Sequence, residues 1–96
     1  MFNVGSQKVM TVGGPASFFE NYQATNLYVE RVFGDSINTI TISNDSTTDT
    51  ISLSYDGATL DGILTAGESV TLNTTDLKSI FIRGAVGGDY VRIWGW

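Results

Sequence analysis

The chain has 96 residues, ten acidic and five basic, for a formal net charge of −5, and it contains neither cysteine nor histidine. Disulfides, thiolate metal sites, imidazole ligands and Ser-His-Asp or Cys-His catalysis are therefore excluded. Lys8, Arg31, Lys78, Arg83 and Arg92 stand singly, so there is no basic stripe to bind a phosphate backbone; neither nucleic acid nor an anionic membrane surface is an expected partner.

No apolar run approaches the roughly 20 residues that cross a bilayer. The first residues, MFNVGSQKVMTVGG, lack the charged start and apolar run of a secretory signal, so the chain is expected to be made in a cytoplasm and not exported. One domain over residues 1–96 is expected. Folding a chain of this size buries roughly 65% of its unfolded surface. Oligomerisation is the common remaining way to bury more.

Taken in chain order, residues 1–25 read as an extended arm or an N-terminal strand, with KVMTV (8–12) as the strand candidate. PASFFENY (15–22) carries the chain's one helical signal. Ser17 and Glu20 have capping-box spacing behind Pro15, enough for at most a single turn. NLYVERVF (26–33) reads as a strand with Leu27, Val29 and Phe33 on one side. Arg31 interrupts that side and points to a bulge or an edge position.

From residue 37 on, the period is two. INTITIS (37–43) sets Ile40 and Ile42 against Thr39, Thr41 and Ser43. TISLSYDG (50–57) sets Ile51, Leu53 and Tyr55 against Ser52 and Ser54. ESVTLNT (68–74), KSIFIRG (78–84) and DYVRIWGW (89–96) continue the pattern. Such alternation predicts a sheet with one dry and one wet face. Polar SNDSTTD (43–49) and the pairs Asp56-Gly57, Asp61-Gly62, Ala66-Gly67 and Gly87-Gly88 mark the turns. The fold class predicted is all-β: a single antiparallel β-sandwich, jelly-roll-like or immunoglobulin-like, of about seven or eight strands.

Little in the chain suggests chemistry. A Ser-Lys arrangement would need Lys8 or Lys78, and nothing marks a serine partner. Glu20, Glu30 and Glu68 are the carboxylates that could pair for glycoside hydrolysis, but such a small chain has difficulty building the cleft. Asn44, Asp45 and Asp49 crowd one loop and are the best guess for calcium, although a solvated turn explains them as well. No catalytic residue, cofactor or metal is assigned, and no enzyme activity is expected.

The distinctive feature is aromatic and cationic. If the last two strands pair as a hairpin, Ile80, Ile82, Val91 and Ile93 face the core, and Phe81, Arg83, Tyr90, Arg92, Trp94 and Trp96 share the other face. Trp, Tyr and Arg are the types enriched at interface hot spots. Phe18 and Phe19 are secondary anchors. Three occupants stay open for this face: the N-terminal segment (Phe2, Phe18, Phe19, Tyr22), another protein chain, or a sugar or unstacked base.

The C-terminal half also resembles small virion proteins of tailed bacteriophages. The resemblance runs over Ile40 to Asp49, Thr50 to Gly57, Leu64 to Leu72, Ile80 to Gly84 and Val91 to Trp96. It implies a cofactor-free structural protein of the virion, a capsid decoration or cement protein binding phage coat subunits and self-associating, with a trimer suited to three-fold capsid sites. A head–tail connector or fibre-anchoring protein is the alternative within that class. A small carbohydrate-binding module is the alternative outside it.

Overall fold

The computed structural model describes residues 17–96. The strand candidate at 8–12 and most of the proposed arm lie outside the described residues. Six strands form one antiparallel sheet: β1 (Phe18–Gln23), β2 (Val29–Asn44), β3 (Ile51–Ser54), β4 (Gly62–Leu64), β5 (Ser69–Gly84) and β6 (Tyr90–Gly95). Their order is β1-β6-β2-β5-β3-β4. The all-β, antiparallel expectation holds, and the described residues contain no helix.

The segment with the chain's one helical signal is strand β1 from Phe18 on, and its residues 15 and 16 lie outside the described residues. Its exposure alternates strictly, with Phe18, Glu20 and Tyr22 inward of Phe19, Asn21 and Gln23. That period-two pattern outweighs the capping-box spacing, because all six residues of β1 lie in antiparallel register with β6.

Segments that read as separate strands are continuous. Residues 26–33 and 37–43 merge into β2, and 68–74 and 78–84 merge into β5. Each long strand bends in the middle. Between Val32 and Ile37, residues 33–36 oppose only Lys78; between Ile37 and Thr39, residues 74–76 oppose only Asn38. Gly34 (φ 89°) and Asp76 (φ 58°) take up the left-handed conformations that these bulges need. Lys78 Nζ donates to Ser36 Oγ at 2.6 Å and Asp76 N to Asn38 Oδ1 at 3.2 Å, tying the two bends together. Arg31 lies before the β2 bend, on the side of β2 that has no neighbouring strand among the described residues. Of the two explanations offered for it, the edge position holds; Arg31 itself is in regular register with Ile80, and the bulge begins after Val32.

The bends fold the sheet over on itself. Beyond them, β1, β6, the end of β2 and the start of β5 form one half; the start of β2, the end of β5, β3 and β4 form the other. The halves meet through their inner faces. Phe18 packs edge-on against Phe33 with ring centroids 5.0 Å apart. Arg31 binds Glu20 side-on through one guanidinium edge, with Nε to Oε1 at 2.8 Å and Nη2 to Oε2, and its guanidinium sits 4.4 Å from the Tyr22 ring. The Glu20 bond holds the Arg31 pKa above its ordinary value against the opposing effect of burial.

Between the halves lies an aliphatic core: Ile37, Ile40, Ile42, Ile51, Ile80, Ile82, Val91 and Ile93 are fully buried, with Leu53, Leu64, Phe33 and Ala24 around them. Each such side chain contributes roughly 1.5–3 kcal/mol by leaving water. Gly95 is fixed by this packing, since a Cβ there would stand 3.1 Å from Ile37. Three positions expected to be wet differ, Thr41, Ser43 and Ser54. Thr41 and Ser43 are buried, because Trp94 and Arg92 flank them on β6 while Thr71 and Ser69 flank them on β5.

Candidate functional site

The last two strands do not pair as a hairpin. β6 lies between β1 and β2, and the end of β5 lies between the start of β2 and β3. The short linker at 85–89 wraps residues 24 and 25: Gly84 N donates to Thr25 O, Gly88 N to Ala24 O, and Ala24 N to Asp89 O, each at 2.7 Å. Buried Ala24 thus lies between the end of β5 and the start of β6, and the chain crosses from one half of the sheet to the other. Ile80, Ile82, Val91 and Ile93 all face the core, as expected. Their alternating neighbours split between two outer faces.

Phe81 and Arg83 belong to the β5–β3 face and have partners within the fold. The Phe81 ring covers Gly57, where a Cβ would approach within 2.9 Å of it. Arg83 stacks 4.5 Å from the Tyr28 ring. Tyr90, Arg92 and Trp94 belong to the β1–β6 face. Phe19, directly opposite Trp94 in register, joins them with ring centroids 5.5 Å apart. Arg92 lies 5.2 Å from the Trp94 ring and grips Asp45 with Nε to Oδ2 at 2.6 Å and Nη2 to Oδ1 at 2.9 Å. Phe19 and Tyr90 remain about half exposed. Phe18 points inward instead and serves the core. Trp96 is tied by its backbone to β2: its N donates to Thr39 O at 2.9 Å, and its O accepts from Asn38 N at 2.8 Å.

The site is therefore a rigid row, Phe19–Trp94–Arg92–Tyr90, on paired strands. A hydroxyl ladder runs beside it, with Thr41 Oγ1 and Thr71 Oγ1 2.9 Å apart and Ser43 Oγ and Ser69 Oγ 2.7 Å apart. Sequence reading missed the Phe19–Trp94 pair. Its signal was the alternation of Phe18, Glu20 and Tyr22 against Phe19, Asn21 and Gln23.

Asn44 is also not what its sequence context suggested. It is buried, and its Nδ2 donates to Asp49 O and Leu64 O at 2.9 Å and to Thr65 O at 3.1 Å, while Oδ1 accepts from Ser46 N at 2.9 Å. Asp45 is committed to Arg92. The calcium cluster of Asn44, Asp45 and Asp49 does not assemble, and among the described residues no group of three or more acidic side chains is placed to hold a metal ion.

The other reactive candidates are dispersed. Glu20 pairs with Arg31, and Glu30 Oε2 accepts from Ser79 Oγ at 2.6 Å. Glu68 caps its own turn by accepting from Thr65 N at 2.7 Å, a bond that lowers its pKa. Lys78 does meet a serine, Ser36, but it also pairs with Asp76 at 3.2 Å and is largely exposed. Asp76 is correspondingly held below the usual carboxylate range, first by Ser36 and then by Lys78.

Two clefts border these elements. One, of about 240 Å³, is apolar and lies between β3–β4 and the start of β5, with Tyr55, Ile63, Val70 and Leu72 in its wall. The other, of about 390 Å³, is polar and runs from Arg92 and Asp45 to Thr47, Gly67 and Ser69. No protein-family model matches the chain, and comparison with curated proteins finds no match.

Proposed function

We propose that the chain is a non-catalytic adhesive module: a structural protein of a bacteriophage virion that decorates or cements the capsid, with the folded sheet acting as its sandwich. The observation that carries this reading is the Phe19–Trp94–Arg92–Tyr90 row. Its two outer rings are half exposed, and its inner members are pre-positioned by the Asp45 ion pair and by strand pairing. Rigid rings and a planar guanidinium give large contact area at low entropic cost, which is how interface hot spots work. Coat subunits are the proposed partner, on the strength of the sequence resemblance. A ligand that binds only the assembled shell stabilises it by linkage. Self-association, with a trimer favoured, belongs to the same proposal and is tested by light scattering on the isolated chain.

The direct test is cosedimentation with capsids assembled from the phage's coat protein. Trp94→Ala should weaken occupancy by about 2 kcal/mol, roughly thirty-fold. Unchanged occupancy in both Trp94→Ala and Phe19→Ala would refute the assignment of this face. The polar cleft beside Arg92 supports one rival, a carbohydrate platform; a glycan that quenches Trp94 emission while capsids do not would favour it.

A further inference from the structure

Four basic side chains fall among the described residues, and three of them hold a carboxylate of the chain itself: Arg31 with Glu20, Lys78 with Asp76 and Arg92 with Asp45. Arg83 does not. Its close partner among the described residues is the Tyr28 ring, 4.5 Å away. In a chain with twice as many acidic as basic residues, a guanidinium without a carboxylate is the exception.

The fold sets this position. Arg83 pairs with Ser52 on β3, and Tyr28 immediately precedes Val29, the partner of Ile82. The guanidinium therefore stands between a small hydroxyl residue and a ring. The ring takes the flat face of the cation. The N–H donors lie in the guanidinium plane, so stacking leaves them available. Glu30, two residues on from Tyr28, opposes Phe81 and bonds Ser79 instead.

Arg83 borders a polar cleft of about 360 Å³, together with Asn26, Thr50, Ser52, Gly84 and Ala85. The Asn26 amide and the Thr50 and Ser52 hydroxyls make no hydrogen bond among the described residues. Arg83, Thr50 and Ser52 are partly buried, which fixes their positions and shields the cleft from screening. Gly84 anchors its floor: the Gly84 N donates to Thr25 O at 2.7 Å, and a Cβ there would touch Ala24.

We propose that this cleft is a carboxylate-binding site that takes an aspartate or glutamate side chain from an acidic peptide segment of a partner. Arg83 supplies paired N–H donors matched to the two carboxylate oxygens. Thr50, Ser52 and Asn26 bond the remaining lone pairs and the flanking peptide groups. One positive charge suits one carboxylate. A phosphate group carries about two negative charges, and the cleft wall holds no second cation. A sugar acid would need a ring to stack on. The wall has none, because Tyr28 is taken by Arg83. The site lies on the β5–β3 face and is independent of the aromatic row.

The test is a ¹H–¹⁵N NMR titration of the full chain with acetyl-Gly-Glu-Gly-amide, read at the Arg83 side-chain Nε–Hε signal. That signal should move and saturate, with half-saturation in roughly the millimolar range for so small a contact. Acetyl-Gly-Gln-Gly-amide should leave it unmoved. Arg83→Lys should weaken binding roughly tenfold or more, since an ammonium has no planar fork. Ser52→Ala keeps Arg83 and its stack and should weaken binding roughly two- to five-fold, so the proposal stays testable if Arg83→Lys fails to fold. Equal responses to the Glu and Gln peptides would overturn it, as would an Arg83 signal that the Glu peptide does not move. Tighter binding of inorganic phosphate or of glucuronate than of the Glu peptide would overturn the peptide carboxylate as the ligand.

Discussion

Arg92–Trp94 and Phe81–Arg83 have the same kind of sequence: ring and guanidinium alternating with core isoleucines on one strand. Their fates differ. Phe81 closes over Gly57 and Arg83 lies on Tyr28, so that face is completed by its own chain. Arg92 and Trp94 are braced from the side, by Asp45 and Phe19, and half-exposed rings remain at both ends of the row. Residue type alone does not mark a docking surface. What matters is whether the register neighbours cap a ring or prop it up.

The largest expected effect lies under both faces. Asn44→Ala should cost about 3 kcal/mol or more of stability, because it strands several buried carbonyls and an amide; denaturant midpoints for the variant check this. Next, Trp94→Ala and Phe81→Ala should divide cleanly. The first should lose about 2 kcal/mol of capsid binding. The second should lose about 2 kcal/mol of stability while binding with wild-type affinity when folded. Equal binding losses in the two variants would erase the distinction between the faces.

Gly57→Ala, with φ at 82° and a Cβ against the Phe81 ring, should cost about 1–2 kcal/mol of stability and leave binding untouched. The smallest effect is electrostatic. Asp56 accepts from Thr59 N, Ala58 N, Thr59 Oγ1 and Ser54 Oγ, and these bonds hold its carboxyl well below the usual range. Its contribution is present above the ordinary aspartate pKa and is lost only as pH falls through the depressed one. Asp56→Asn should therefore flatten the acid limb of the melting curve without touching the aromatic row.

The core was legible in the sequence. Ile40, Ile42 and Ile51 alternate with polar residues, Ile80, Ile82 and Ile93 with polar or aromatic ones, and all are buried. Turns at Gly57, Gly67 and the Gly87-Gly88 pair were legible because each needs a positive φ. Asp61-Gly62 was not a turn: Gly62 opens β4, and the Asp61 carboxylate instead accepts from Tyr55 N at 2.8 Å. The bends of β2 and β5 looked like strand ends, since a bulge breaks the alternation as a turn does. The link from β5 to β6 read as a hairpin because nothing local reveals that residues 24 and 25 pass between them. Phe81 and Arg83 consequently fall on a different face from Tyr90, Arg92 and Trp94, and Phe19 joined the row only when β1 paired with β6.

The measurement that tests the central claim most directly is Trp94 emission in a Trp96→Phe chain, with and without coat-protein capsids. A blue shift on binding, abolished by competing wild-type protein, is the expected result. Stoichiometric binding with no change in Trp94 emission would place the adhesive surface elsewhere and contradict the account.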